Sequence, residues 1–163
     1  MSTRRESLGY VDGVIDVSII VPACFDNPLK GCAVEFLTKV LAQQRREVIP
    51  VTAVIGAYHI ATRYLKAPKL LVKKVLEGML RTKSPALYPH IPPEVAIDSL
   101  DYATVYNVES WDGYLIALAR SLGTKIVCSM DEELTKVKEI LVVNPFPEDE
   151  IRQYYEWIKV KRP

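Results

Sequence analysis

The stretch "SWDGYLIALARSLGTKIVCSMDEEL", Ser110 to Leu134, decides how the chain is read. Apolar residues at helical spacing run from Trp111 to about Ser121, Ser110 stands where a helix cap is expected, and Gly123 ends the run. "KIVCSMD", Lys125 to Asp131, then reads as a short buried strand that finishes in polar residues. The stretch is therefore a helix feeding a strand, with one acid, Asp112, at the helix start and another, Asp131, just past the strand end.

The same alternation continues outward. "VIDVSIIV", Val14 to Val21, is a β-branched run broken only by Asp16 and Ser18, and predicts a buried strand ending in a polar site. A helix follows Asn27 and Pro28, with Val34, Leu37, Val40 and Leu41 on its apolar side, to about Arg46. Val48 to Pro50 makes a short extended lead-in to a second helix from about Thr52 to Leu65, which Pro68 stops. Lys69 to Lys83 is amphipathic and basic. The Pro-rich "SPALYPHIPP" is a rigid connection inside one domain, and "EVAIDSLDYATVYNV" fits helix and strand equally. Ile140 to Val143 predicts a third strand, and a closing helix spans about 147–160, with Pro147 and three acids in its first turn. Strands alternating with helices predict an α/β fold, a three-layer α/β/α sandwich around a mainly parallel sheet. The whole chain, 1–163, reads as a single domain with a core over about 11–144.

Composition limits what the domain does. The 163 residues, 49% hydrophobic, suffice for one substantial core. A formal net charge of +1 excludes a protein that coats nucleic acid by bulk charge, so function must reside in a local site. Cys24, Cys32 and Cys128 form no CxxC pair and read as free thiols in a reducing compartment. The polar opening "MSTRRESLGY" and the lack of an apolar run of about 20 residues predict a soluble cytoplasmic protein away from membranes. Scarce Asn and Gln match the composition of proteins from thermophiles.

In open parallel sheets, sites form beyond the carboxyl ends of the strands, and Asp16, Asp112 and Asp131 can all reach one such edge. Each has an ordinary explanation: Asp112 suits the helix dipole, and Asp131 can cap a helix beginning at Glu132. Asp16 is harder to explain, because an acid inside a β-branched run is costly unless paired or metal-bound. Three converging carboxylates repel one another and call for a cation, for which Mg²⁺ or Mn²⁺ suits oxygen donors. Such an ion polarises a phosphodiester and activates water.

"VIDVSIIV" followed by "SWDGYLIALARSLGTKIVCSMDEEL" resembles the PIN-domain family, whose members open on a strand ending Asp-x-Ser/Asn. They carry a later helix reading roughly D-A-x-I-A-A-x-A, followed by a Gly, a strand and Thr/Ser-x-D. Gly113 replaces the usual Ala, and the C-terminal stretch from Asn144 goes beyond the family's common core. The resemblance implies a metal-dependent endoribonuclease of the VapC toxin type, acting on RNA, with a small antitoxin protein as partner and a homodimer as the assembly. Carried over, Asp16, Asp112 and Asp131 are the metal ligands and catalytic residues, with Ser18 and Ser129 as support. The family's Glu on the helix after the second strand corresponds to Gly56, and no acid occurs between Glu47 and Glu77. His59 and Glu109 are candidate substitutes, and Lys69, Lys73 and Lys74 candidate RNA contacts. The missing Glu motivates the alternative of a non-catalytic RNA-binding or protein-interaction module. A nucleotide-binding signalling domain is disfavoured because no G-x-G-x-x-G or P-loop sequence is present.

Overall fold

The computed structural model describes residues 11–161, so the "MSTRRESLGY" opening lies outside the described residues. Five short strands, β1 (Gly13–Ile15), β2 (Glu47–Pro50), β3 (Leu87–Tyr88), β4 (Ile126–Cys128) and β5 (Leu141–Val143), form one sheet in the order β3-β2-β1-β4-β5. All four pairings are parallel, with Val14 opposite both Val48 and Val127. The helices are α1 (Val17–Ile20), α2 (Lys30–Leu41), α3 (Val51–His59), α4 (Lys69–Arg81), α5 (Pro93–Tyr106), α6 (Ser110–Ser121) and α7 (Glu148–Lys161).

Alternation along the central strands builds two cores. Ile15, Ile49 and Cys128 face one side, where α2, α3, α4 and α7 supply Phe36, Leu37, Val54, Val72, Leu76 and Tyr154. Val14, Val48 and Val127 face the other, against Tyr114, Leu115 and Leu118 of α6. The protein is thus an α/β domain with an all-parallel sheet between helical layers, as the strand–helix alternation predicts. Burying each such side chain stabilises the fold by about 1.5–3 kcal/mol, and residues buried on both faces explain the near-continuous apolar runs of the strands.

The local readings differ from the structure in instructive ways. The run from Val14 to Val21 is not one strand: β1 ends at Ile15, and Asp16, extended at φ −77° and ψ 156°, N-caps α1 by accepting from the Val17 N–H at 2.7 Å. A capping carboxylate outweighs the β propensity of the residues behind it. Val48 to Pro50 belongs to a full strand, and the Pro-rich connection contains β3. The ambiguous stretch after it is helix α5, started by Pro93 and ended by Asn107 in the left-handed region at φ 52°. Ser110 lies inside α6 rather than capping it; Glu109 occupies the N-cap and makes no side-chain capping bond. Gly123 ends the α6 segment at φ +75°, as its place in the sequence predicts.

Gly113 has a packing explanation. A Cβ there would lie 2.1 Å from the Ser99 carbonyl oxygen, so α5 and α6 approach as closely as they do only because this residue is glycine. Among the described residues, no helix is long and apolar enough to cross a membrane.

Candidate functional site

Strand order reverses on either side of β1, since β2 and β3 extend one way and β4 and β5 the other. The crevice beyond the carboxyl ends of β1 and β4 is where such sheets bind ligands. A cleft of about 1110 Å³ lies there. Asp16, Asp112 and Asp131, separated by up to 115 residues in sequence, all line it, together with Ser18, Gly56, His59, Glu109 and Glu132. Ser129 is buried outside the lining and reaches the site through its hydrogen bond to Asp16.

Asp16 is 7% exposed and holds the two strand ends together. Its Oδ2 accepts from the Ser18 hydroxyl at 2.8 Å and the Ser129 hydroxyl at 2.7 Å, and its backbone N–H donates to the Cys128 carbonyl at 2.9 Å. Ser18 Oγ in turn accepts from the Met130 N–H at 3.0 Å, and Ser129 Oγ from the Asp131 N–H at 2.9 Å. The serines therefore fix the 129–131 loop against β1 while filling lone pairs of the buried carboxylate. Burial pushes the Asp16 carboxyl above its ordinary range, and the hydrogen bonds from Ser129, Ser18 and Val17 oppose that rise.

Asp112 is raised as well. Burial, reinforced by the charges of Asp16, Asp131 and Glu109, brings it up to about 7. Asp131 N-caps the short 3-10 helix Glu132–Lys136 by accepting from the Glu133 N–H at 2.9 Å, the ordinary role its sequence position allows. Among the described residues lining the cleft there is no lysine or arginine, so these acids face one another without a cationic side chain. Lys69, Lys73 and Lys74 do not supply one. They are exposed on α4, outside the cleft lining, and Lys73 pairs with Glu77 at 3.0 Å.

Gly56 lies on the cleft wall, and a Cβ there would meet Val17 Cγ2 at 3.6 Å, an ordinary contact. A Cβ at this position is therefore sterically admissible. His59, one turn on, packs edge-on against Tyr64 with centroids 5.6 Å apart.

Several lining residues carry no sequence signal. Tyr154, Tyr155 and Ile158 of α7 form part of the wall, so the C-terminal helix contributes to the site. That helix is anchored by Trp157 stacked on Phe25 at 5.7 Å, a long-range contact invisible to local pattern. Tyr155 donates its hydroxyl to the Met130 carbonyl at 3.4 Å. Thr52 and Tyr114 both line the cleft, and their hydroxyls are buried beside each other. The cysteines stay outside the cleft lining: burial pushes Cys24 and Cys128 up to about 12, and Cys32 donates to Glu150.

The three aspartates fit a hard divalent cation, being oxygen donors and acidic, with no lysine or arginine in the described lining. The spacing is looser: among the described residues, no group of three or more His, Cys, Asp or Glu side chains is arranged as a preformed metal site. Comparison of the chain with protein-family models returns no match, and comparison with curated proteins returns none either.

Proposed function

We propose that this protein is a PIN-type endoribonuclease dependent on Mg²⁺ or Mn²⁺. The observation that supports it most is that three aspartates from separate parts of the chain line one cleft at the sheet's switch point, without a cationic side chain among them. Asp16, Asp112 and Asp131 would hold the ion, which when bound supplies a Lewis acid for the phosphodiester and an activated water. Ser18 and Ser129 hold the Asp16 carboxylate in place through its Oδ2. In the metal-free protein Asp112 is raised to about 7, and a bound cation would favour its ionised form. A small antitoxin protein and a second copy of the chain are the partners that the family resemblance suggests, and the cytoplasm the compartment.

Gly56 favours a second reading. It stands on the cleft wall where the family's Glu is expected, and its absence leaves one carboxylate fewer for the ion. On that reading the domain binds RNA or a protein without turnover.

Incubating purified protein and a mixed RNA pool with Mn²⁺, beside EDTA and Asp112→Asn controls, separates the two. The nuclease reading expects cleavage that both controls abolish. Intact RNA with folded wild-type protein would favour the non-catalytic module, and Gly56→Glu would then be expected to create cleavage.

A further inference from the structure

Two acids of the cleft have an aromatic ring beside them that is held along one side and open on the other. Trp111 immediately precedes Asp112 in α6; its indole packs edge-on against Tyr114, centroids 6.4 Å apart, yet the residue is 57% exposed. Tyr155 leans on Tyr154 with centroids 5.7 Å apart and is tethered through its hydroxyl to Met130, one residue before Asp131, yet it is 43% exposed. Both line the cleft. The other tryptophan provides the contrast: Trp157 has Phe25 stacked at 5.7 Å and the Lys161 ammonium over its ring at 4.8 Å, so its ring is committed to packing.

The charge pattern says what open rings are for. An acidic cleft whose described lining lacks lysine and arginine offers no lysine–phosphate or arginine–phosphate pairs, so beyond a bound cation and His59 the affinity for RNA rests on neutral contacts. Every nucleobase has a π face, and aromatic platforms bind unpaired bases with little sequence preference. Bases inside a duplex are already stacked on each other and present no free face.

We infer that Trp111 and Tyr155 are stacking platforms for unpaired nucleobases flanking the phosphodiester presented to Asp16, Asp112 and Asp131. The substrate is then single-stranded RNA, gripped by ring faces rather than by lysine–phosphate pairs. This rests on the reading of the cleft as an RNA site. Trp111→Phe and Tyr155→Phe keep a platform, whereas the alanine variants remove it.

The test uses the full chain with Ca²⁺ in place of Mn²⁺ and a fluorescein-labelled single-stranded RNA of about ten nucleotides, read by anisotropy. Trp111→Ala and Tyr155→Ala should each weaken Kd about tenfold, and the phenylalanine variants about twofold or less. In a Trp157→Phe background, RNA should quench the remaining Trp111 emission. The dependence of log affinity on log salt should have a slope shallower than about −2. Alanine variants that bind like wild type, binding without quenching, or equal competition by duplex RNA would each overturn the platforms. Cleavage with Mn²⁺, measured separately, keeps the two claims apart. Binding that shows these losses without any cleavage would remove the nuclease and leave the platforms, while cleavage with an unchanged KM in both alanine variants would remove the platforms and leave the nuclease. No RNA binding at all would remove both.

Discussion

Each end of the sheet buries a carboxylate, and the two are handled differently. Glu47, at the amino end of β2, is 4% exposed and meets a cation at once: Arg45 Nη2 lies 2.6 Å from its Oε1, and the guanidinium also covers the Phe36 ring at 4.8 Å. Asp16, at the carboxyl end of β1, meets two hydroxyls, one backbone N–H and further acids, with no cationic side chain in the described lining. A buried charge is tolerable when paired, so the amino end carries its own countercharge through Oε1, although Glu47 Oε2 closes no hydrogen bond. At the carboxyl end the chain supplies no lysine or arginine as countercharge and the acids are raised instead, and such a site is where a ligand is expected to supply what the chain leaves out. Burial alone does not mark function; the missing countercharge does.

Four substitutions sharpen or break that contrast. Gly113→Ala should be the most damaging, because its Cβ would collide with the Ser99 backbone, part α5 from α6 and shift Asp112 with it. A loss of about 3 kcal/mol in urea denaturation is expected, and a loss below about 1 kcal/mol would show that the helix contact has slack. Arg45→Met, which keeps the apolar stem over Phe36, should cost about 2 kcal/mol by leaving Glu47 unpaired. Restoration by Arg45→Met combined with Glu47→Gln would confirm charge as the cause, and an undiminished loss in the pair would point to packing instead.

At the other end the sign reverses. The folded-state pKa of Asp112, about 7, lies above the ordinary 3.8, so its ionisation opposes folding as pH rises between those values. Asp112→Asn should therefore stabilise the metal-free protein at pH 8 by on the order of 1 kcal/mol after allowing for solvent screening. Near pH 4 the gain should be close to none, and thermal melts at both pH values check it. Equal effects at the two would mean that the gain has another source. Gly56→Glu adds a further acid to the same end. It should lower metal-free stability by a few tenths of a kcal/mol, with Mn²⁺ reversing the loss; a loss that Mn²⁺ leaves in place would place the new side chain outside the acid group.

How much of this was legible in the sequence follows from what each feature depends on. The layered α/β architecture could be read because the central strands are buried on both faces and the helices carry periodic apolar sides. Asp16, Asp112 and Asp131 stood out because a strand end and a helix start are local features, and the parallel-sheet rule brings such points to one edge. The boundary at Asp16 was misread because Val17 to Ile20 are β-branched or small, and only the capping bond shows that they turn into helix. α5 was ambiguous for the opposite reason. Ile97, Leu100 and Val105 on it are exposed apolar residues, so its pattern does not report its buried side. β3, two residues long, carries no periodicity at all. The aromatic wall from α7 could not be read, since its position rests on Trp157 finding Phe25 more than 130 residues away.

If the acids at the carboxyl end hold a cation, that cation should stabilise the fold. Thermal unfolding of the wild-type protein and Asp112→Asn at pH 8, with and without millimolar Mn²⁺, tests it most directly. Mn²⁺ should raise the wild-type Tm by several degrees and leave Asp112→Asn nearly unmoved. A wild-type Tm indifferent to Mn²⁺, or an equal rise in the two proteins, would contradict it.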